Sequence, residues 1–452
     1  MRTVITNFGT AGDLRPFLAL AVELERRGYG PVLAFPPQFQ SQVEKLGLPF
    51  ASVGPDLTGV QERTNRALAS VTGPEAMTAL FEPIAAALPQ AFDELHALAA
   101  NADLLICGAV QPAGRMIHEL TGVPFVSVQL AQFGGGGAAA LREAGDRLIN
   151  PFRRKLGLPA LMHPLTTGAN SPQLALFALS RHLLAKPRDW PAHYHVTGFF
   201  FLDEADRPLD PKLELYLRTG DAPVLFCFGS MAADDPDRQT RVLVESARMA
   251  GCRAIIQTFG PRLEPQALDD GVFMAGYLPH EKLMPRVSLV VHHGGAGTTA
   301  AVLRAGVPSV FVPHGVLFDQ YYFGILAREL GVSGGSILLQ DLTAERLGEA
   351  IALTRSTPTI RDGAARLSDK IRAERGVATA ADLIAGFVGR LGLEPLSNPL
   401  SRKGQGLSAA LLRLRRQRRT IRSETKSHPF HPEGRYPAPC PGRHPSALTR
   451  AS

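Results

Sequence analysis

The sequence lacks the features that mark membrane-spanning, disulfide-rich and metal-binding proteins. It has no apolar run of about 18 residues, so we expect no spanning helix. Residues 1–16 do not show the basic and then apolar pattern of a signal peptide, because one short apolar run leads directly into a glycine turn. The four cysteines, at positions 107, 227, 252 and 440, have neither metal-ligand nor redox spacing. These absences favour a cytoplasmic protein with reduced thiols.

Excess positive charge is present only at the C-terminal end. The formal net charge is +7, but residues 397–452 hold 12 of the 48 Lys and Arg residues and only 2 of the 41 Asp and Glu residues. The other 396 residues hold 36 basic and 39 acidic groups, which does not favour nucleic acid binding. We predict that residues 396–452 form a disordered tail. An alternative is that a basic helix over residues 407–422 lies on an anionic membrane surface.

The chain of 452 residues is long enough for two domains, each with its own core. Apolar strands predicted near residues 2–8, 31–35 and 50–53 alternate with helical patterns. This rhythm is typical of a parallel sheet with helices on both faces. The predicted parts are an N-terminal domain at 1–205, a linker at 206–222, a C-terminal domain at 223–395 and the tail.

Residues 290–313 contain the most informative motif of the chain. Val290 and Val291 can end a buried strand, and the small residues of HHGGAGTT at 292–299 let the backbone approach a ligand closely. A helix follows and ends near Gly306. Free N–H groups at the start of such a helix bind phosphate. The alternative is a purely structural role, in which the glycines only shape a tight turn, but the two histidines and two threonines favour phosphate recognition.

This stretch resembles the donor-binding signature of the nucleotide-sugar-dependent glycosyltransferases of the GT-B fold. The resemblance is to glycosyltransferase family 1, in the branch with sterol, lipid and antibiotic glycosyltransferases. It implies an α/β protein with two Rossmann-like domains whose parallel sheets face each other across a cleft. Asp319 and Gln320 would bind the sugar hydroxyls, after a segment, 314–318, that is longer than in the family. The residues implied to bind the donor diphosphate are His292, His293, Gly294, Gly295, Gly297 and Thr298.

A second resemblance lies at residues 8–24, which read FGTAGDLRPFLALAVEL. In the same branch an acidic residue ends this loop and faces the acceptor. The resemblance therefore implies Asp13 as the catalytic base, with Thr10, Ala11 and Gly12 on the donor side. Plant relatives use a histidine oriented by a distant aspartate, whereas residues 104–110 here contain no acidic residue. Asp13 could also act as the N-cap of the following helix, and both roles are compatible.

Two further matches lie in the C-terminal half. Ser230, in the sequence FGSM, would contact the donor phosphates. In the segment GYLPH at 276–280, Tyr277 would stack on a uracil or thymine base and the Leu278 backbone would bind the edge of that base. The alternative for this segment is a simple turn before a helix.

Two cofactor interpretations are weaker. The glycines at positions 9 and 12 have GxxG spacing instead of GxGxxG, and no acidic residue closes the second strand, so NAD binding is disfavoured. The Asp-x-Asp spacing at 235–237 precedes a helix, where N-capping explains it more simply than a metal does. Adjacent histidines project apart, and no third ligand is near them in the sequence. We expect no metal and no cofactor, the nucleotide sugar being a co-substrate.

The glycine run at 133–137 has no regular period and predicts a loop. It either covers the acceptor site or is merely exposed to solvent.

Together these residues predict an inverting transferase that moves a hexose from a UDP- or dTDP-sugar to a hydroxyl of an apolar acceptor. The acceptor classes implied are sterols, terpenoids, polyketides and lipids. The alternatives are a sugar-nucleotide-processing enzyme of the same fold, such as an epimerase, and a non-catalytic nucleotide-sugar-binding protein. The sequence makes no prediction about oligomeric state.

Overall fold

The structure is a computed structural model that describes most of residues 1–395. The described ranges are 1–59, 74–131, 135–202, 208–228, 235–257, 265–269, 271–276, 278–317 and 319–395. The predicted tail at 396–452 lies outside them, so its disorder and membrane contact stay predictions. No helix in the described ranges is long and apolar enough to cross a bilayer.

The N-terminal half is built on a parallel sheet of seven described strands in the order β3-β2-β1-β4-β5-β6-β7. The strands are β1 (Thr3–Thr6), β2 (Pro31–Phe35), β3 (Phe50–Ser52), β4 (Leu104–Gly108), β5 (Phe125–Gln129), β6 (Leu174–Phe177) and β7 (Tyr194–Val196). The helices are α1 (Ala11–Arg26), α2 (Gln40–Glu44), α3 (Pro74–Ala99), α4 (Ala113–Thr121), α5 (Gly135–Leu148) and α6 (Asn150–Lys155), with 3-10 turns at Pro37–Phe39 and Thr167–Ala169.

The C-terminal half is built on a second sheet, in the order β10-β11-β9-β8-β12-β13-β14 over the described residues. The strands are β8 (Val224–Cys227), β9 (Ala254–Gln257), β10 (Gln266–Asp269), β11 (Val272–Ala275), β12 (Leu289–His292), β13 (Ser309–Phe311) and β14 (Ser333–Ser336). The helices are α7 (Pro211–Arg218), α8 (Pro236–Met249), α9 (His280–Leu283), α10 (Ala296–Ala305), α11 (Asp319–Glu329), α12 (Ala344–Ser356), α13 (Pro358–Arg372) and α14 (Gly376–Arg390), with 3-10 turns at Met284–Arg286 and Leu339–Asp341.

The central strands are continuous apolar runs because helices cover both of their faces. Every residue of β4 and of β5 is buried, as expected for a doubly covered parallel sheet. Among the described strands only β10 runs antiparallel, at the edge of the second sheet, and its four residues are exposed. The predicted pair of parallel α/β sheets is thereby confirmed, whereas β10 and β14 have no apolar pattern that would have predicted them.

The strand order places one switch point in each sheet. In the first, β1 lies between β2 and β4, and in the second, β8 lies between β9 and β12. Chain connections diverge at such points and leave a crevice at the carboxyl ends of the strands, where ligands bind in open α/β sheets. The loop after β1 leads to Asp13, and the loop after β12 is the glycine-rich turn.

The last helix joins the two halves. After α13, which packs on the C-terminal half, α14 returns to the first sheet and buries Ala380, Ile384 and Phe387 in the same cluster as Phe17 of α1. The ion pair between Arg27 Nη1 and Asp382 Oδ1, at 2.6 Å, fixes α14 against α1. The exact domain boundaries stay predictions.

A second apolar contact joins the halves directly. Leu179, Leu183 and Phe199 of the N-terminal half share one buried cluster with Leu303 and other residues of the C-terminal half. The Arg304 guanidinium lies 4.4 Å from the centre of the Phe201 ring, a cation–π contact across the same boundary. These contacts bring the two switch points to face each other.

Candidate active site

The first turn of α1 is closed by Thr10 and Asp13. Thr10 is the N-cap, and its Oγ1 accepts the Gly12 N–H at 3.2 Å. In return, the Thr10 N–H and Oγ1–H donate to Asp13 Oδ2 at 2.7 and 3.1 Å. This is a capping box, with Asp13 at the third helical position. The expectation that Asp13 is the N-cap is wrong, because Thr10 is the N-cap and α1 begins at Ala11; Asp13 instead completes the cap from inside the first turn.

Gly9 makes room for the Asp13 carboxylate. Its φ of +120° is rarely adopted by residues that have a side chain. A Cβ at this position would also clash with Asp13 Oδ2 and lie 2.6 Å from Asp13 Cγ. Sequence reasoning did not single out this role, and its only signal was a glycine directly before the N-cap.

The Asp13 carboxyl group is a stronger base than an ordinary aspartate. Burial raises its pKa, and the hydrogen bonds from Thr10 lower it to a smaller extent, so the net direction is upward. The side chain is still half-buried by its accessible surface, so one side of it can meet a ligand. A raised pKa at a partly accessible carboxylate suits a group that accepts a proton.

The helix after the glycine-rich turn has an uncapped N-terminus. Gly295 is the N-cap of α10, and within the described ranges no side-chain hydrogen bond caps this helix. Gly297 is exposed, and Gly295 and Thr298 are half-buried. The first N–H groups of a helix have no partner within it, and the helix dipole favours an anion at this end. The predicted phosphate turn therefore has the geometry of an anion site.

The two histidines of the turn differ in position. His292, the last residue of β12, is fully buried against Phe311, and its Nδ1 accepts the Gly294 N–H at 3.2 Å. His293 is 7% exposed and its ring lies against Gly295. Burial lowers the pKa of both, to about 3 for His293. Both rings are neutral at pH 7. Nε2 of His292 and Nδ1 of His293 are buried without a described hydrogen-bond partner.

Asp319 and Gln320 begin α11 at the same side of the cleft. Asp319 Oδ1 accepts the Gln320 N–H at 3.0 Å, and Gln320 Oε1 accepts the His314 N–H at 3.1 Å. Nδ1 of His314 lies 3.1 Å from the same oxygen, so a proton on Nδ1 would make a second bond. Burial, and then the charge of Asp13, raise the pKa of Asp319 to about 7.

The two helix N-termini meet across the cleft. The Gly12 carbonyl oxygen lies 4.0 Å from the place that a Cβ on Gly297 would occupy. Pro16 has no N–H to donate to this carbonyl within α1, so the usual intrahelical bond is missing there. The structure thus brings the predicted residues of the first loop, Thr10 to Asp13, together with those of the glycine-rich turn.

The predicted base pocket is described in part. Leu278 is buried, whereas Ser230 and Tyr277 lie outside the described residues. Beside Leu278, the His280 ring lies between Cys227 Sγ at 3.4 Å and Gln257 Oε1 at 3.3 Å. Burial lowers the pKa of His280 to about 4. Sequence reasoning missed this cluster, because Cys227 ends β8, Gln257 ends β9 and His280 begins α9, far apart in the sequence.

A salt bridge joins the two halves across the cleft beside these groups. Arg15 Nη2 lies 3.2 Å from Glu281 Oε1, and each side chain is 31% exposed. Arg15 is two residues beyond Asp13, and Glu281 follows His280. No pattern within either segment could have predicted this pair.

The metal interpretation finds no support among the described side chains. No group of three or more His, Cys, Asp or Glu residues in these ranges is arranged to hold an ion. Asp235 Oδ1 accepts the Arg238 N–H at 2.8 Å and caps α8, as N-capping predicts. The absence of a metal requirement stays a prediction.

Solved structures show the same architecture. The glycosyltransferase of kitacinnamycin superposes with a TM-score of 0.68 at 20% identity, over 85% of this chain and 98% of that one. The spinosyn rhamnosyltransferase superposes with a TM-score of 0.65 at 20% identity, over 85% of this chain and all of the other. Further structures of that enzyme contain thymidine diphosphate and the spinosyn aglycone. The fold is GT-B.

Two family models match separate parts of the chain. Residues 3–133 match the N-terminal domain of glycosyltransferase family 28. Residues 247–383 match the C-terminal domain of proteins like erythromycin biosynthesis protein CIII. The N-terminal match is thus to family 28, and the expected assignment to family 1 stays a prediction.

Curated relatives are similar over most of the chain. O-mycaminosyltylonolide 6-deoxyallosyltransferase of Streptomyces fradiae is 29% identical, over 85% of this chain and 97% of the relative. Vancomycin aglycone glucosyltransferase of Amycolatopsis orientalis is 29% identical, over 86% and 98%. A sterol 3-beta-glucosyltransferase of Arabidopsis thaliana is 29% identical, and the match spans 84% of this chain but 64% of that longer protein. The protein is a glycosyltransferase.

Proposed function

We propose that the protein transfers a hexose from a UDP- or dTDP-sugar to a hydroxyl of an apolar acceptor, with inversion at the anomeric carbon. The observation that carries this proposal is the meeting of two helix N-termini across the cleft. One holds the Asp13 carboxylate, and the other has free N–H groups at Gly297 and its neighbours. The relatives are named for transfer to O-mycaminosyltylonolide, to vancomycin aglycone and to sterol, and the sterol transferase supports an apolar acceptor.

The donor diphosphate binds the uncapped first turn of α10. The N–H groups of Ala296, Gly297 and Thr298 face the phosphate oxygens, and the exposed first turn of α1, at Ala11 and Gly12, approaches from the other side. His293 lines the turn beside Gly295, while the fully buried His292 holds the turn through Gly294. These groups stabilise the charge that develops on the leaving diphosphate.

The sugar lies between Asp13 and the start of α11. Asp319 and Gln320 bind its hydroxyls, and His314 holds the Gln320 side chain through Oε1. The acceptor oxygen attacks the anomeric carbon while its proton passes to Asp13. The bond from that carbon to the diphosphate oxygen breaks in the same step. A single displacement of an α-linked donor gives a β-glycoside.

Replacement of Asp13 tests the proposal. Asp13→Asn keeps an acceptor oxygen for the Thr10 N–H, so α1 stays capped, but the proton acceptor is lost. We expect transfer to fall by about 10²- to 10⁴-fold, with unchanged affinity for UDP or dTDP by calorimetry. The matched control is Asp237→Asn, which changes an exposed acidic residue in the first turn of α8. Full transfer by the Asp13 variant would refute the assignment.

Product analysis separates the alternatives. The wild-type chain is incubated with UDP-glucose or dTDP-glucose and an apolar alcohol, and both the nucleotide and the sugar are followed by NMR. Release of nucleoside diphosphate with a new β-linkage supports transfer. A changed sugar still attached to its nucleotide indicates an epimerase, and binding with no change indicates a non-catalytic protein.

A further inference from the structure

The segment between β13 and α11 reaches from the C-terminal half into the N-terminal half. Leu317 is half-buried and packs against the large apolar cluster that α3 and α5 build on the first sheet. Members of that cluster include Met77 and Phe81 of α3 and Leu141 of α5. The Leu317 side chain of the C-terminal half thus packs against an apolar cluster of the N-terminal half.

The backbone contact beside Leu317 is equally close. Gly137, in the first turn of α5, lies against the Leu317 carbonyl, and a Cβ on Gly137 would clash with that oxygen and lie 3.1 Å from the carbonyl carbon. The glycine run predicted as a loop is therefore helical from Gly135 onward, and that part of the prediction is wrong. The helical glycine at 137 is what lets the two halves approach at this point.

Leu317 is next to the reacting groups along the chain. Only one residue separates it from Asp319, so the two Cα atoms are at most about 7 Å apart. Phe8, in the loop that leads to Asp13, is a buried member of the same apolar cluster against which Leu317 packs. The charge of Asp13 also contributes to the raised pKa of Asp319. An alcohol with its hydroxyl at Asp13 therefore has its carbon skeleton within reach of Leu317.

Other partly exposed apolar side chains pack against the same cluster. Leu80 and Ile84 of α3 and Val110, just after β4, are half-buried and pack against the cluster. Val110 follows the carboxyl end of the strand beside β1, which is the crevice of the first sheet. A polar acceptor placed here would lose water without gaining hydrogen-bond partners from these side chains.

We propose that Leu317 contacts the acceptor and selects for an apolar skeleton next to the reacting hydroxyl. This inference rests on the proposed function, because it needs Asp13 to mark the reacting end. The C-terminal half then binds the donor and also supplies one wall of the acceptor site. Leu317 lies in the segment 314–318, which is longer here than in the glycosyltransferase family that the sequence resembles.

Steady-state kinetics with three acceptors test the role of Leu317. The probes are cholesterol, the smaller phenol 4-methylumbelliferone, and glucose as a polar acceptor, each with UDP-glucose and dTDP-glucose. We expect Leu317→Ala to raise the KM for the apolar acceptors about tenfold, with an unchanged KM for the donor. Leu353→Ala, which truncates a 61% exposed leucine of α12, is the matched control and should change neither.

A second variant keeps the test decisive if truncation harms folding. Leu317→Phe enlarges the side chain and should raise the ratio of kcat/KM for 4-methylumbelliferone to that for cholesterol. An unchanged ratio together with an unchanged acceptor KM in Leu317→Ala would overturn the inference, as would a wild-type preference for glucose. Absence of nucleoside diphosphate release by the wild-type chain with all three acceptors would instead contradict the proposed function.

Discussion

The negative charge of Asp13 raises the pKa of Asp319 across the cleft. Burial is the larger cause, and together they bring the pKa of Asp319 to about 7. Asp13 belongs to the first helix of the N-terminal half and Asp319 to the helix after β13, so the two halves share one electrostatic environment. Two like charges that face each other favour a bound ligand with hydroxyl donors between them.

This relationship predicts how stability depends on pH. Between the ordinary aspartate pKa of 3.8 and about 7, the folded chain holds a proton on Asp319 that the unfolded chain has released. The contribution of Asp319 to stability is therefore full below pH 3.8 and is lost as the pH rises through 7. Asp319→Asn has no carboxyl group to ionise, so its stability does not fall in this pH range. We therefore expect the variant to be more stable than the wild type by about 2 kcal/mol at pH 8.

Urea unfolding of the wild type and the variant from pH 4 to 8 measures this difference. The gain from Asp319→Asn should grow over that range and level off above pH 7. Asp369→Asn, in α13, is a control carboxylate far along the chain from the cleft. A gain that is constant with pH would show that Asp319 does not titrate as inferred.

Gly9→Ala should impair catalysis more than stability. The new methyl group would occupy the place of the Asp13 carboxylate, which must then move away from the cleft. A displaced base costs on the order of 10²-fold in rate. Gly47→Ala is the matched control, because Gly47 also has a positive φ, of +69°, but nothing lies within 4 Å of its added Cβ. Both variants should lose about 1 kcal/mol from backbone strain, and equal rates in the two would contradict the positioning role.

The parts of the site that lie within one strand-turn-helix unit could be predicted from the sequence. The turn at 292–299 and the loop at 9–13 carry their glycines, caps and apolar strands in consecutive residues, so local patterns contain enough information. The long, doubly covered strands such as β4 could be predicted for the same reason. A short segment with little apolar character, such as β14 (SGGS), has no such signal.

The parts that depend on contacts between distant residues could not be predicted. The pairing of Arg15 with Glu281 spans 266 positions, and its two segments carry no complementary pattern. The run that contains Gly137 has no regular period and therefore predicts a loop. The close approach of the Leu317 carbonyl, a tertiary contact, accounts for a helical glycine at that position.

Chelation tests the predicted independence from metal. The positive end of α10 and its free N–H groups can take up the charge of the leaving diphosphate. We therefore expect transfer to be unchanged after treatment with EDTA and to gain less than about twofold from added Mg²⁺ or Mn²⁺. Loss of transfer that either ion restores would contradict this expectation. Binding of UDP measured with and without Mg²⁺ serves as the control for an effect on the free nucleotide.

The Arg15–Glu281 ion pair should hold the two sides of the cleft together. Both side chains are 31% exposed, so solvent screening limits the pair to about 0.5–1 kcal/mol. We expect Arg15→Ala and Glu281→Ala each to raise the acceptor KM two- to fivefold, by about that energy. The double variant should be no worse than either single one. The coupling should disappear in about 0.5 M NaCl, which screens exposed charges.

The exposed pair Arg248–Asp269, within the C-terminal half, is the control, and its removal should leave the acceptor KM unchanged. Fully additive effects of Arg15→Ala and Glu281→Ala at low salt would show that the pair does not act across the cleft.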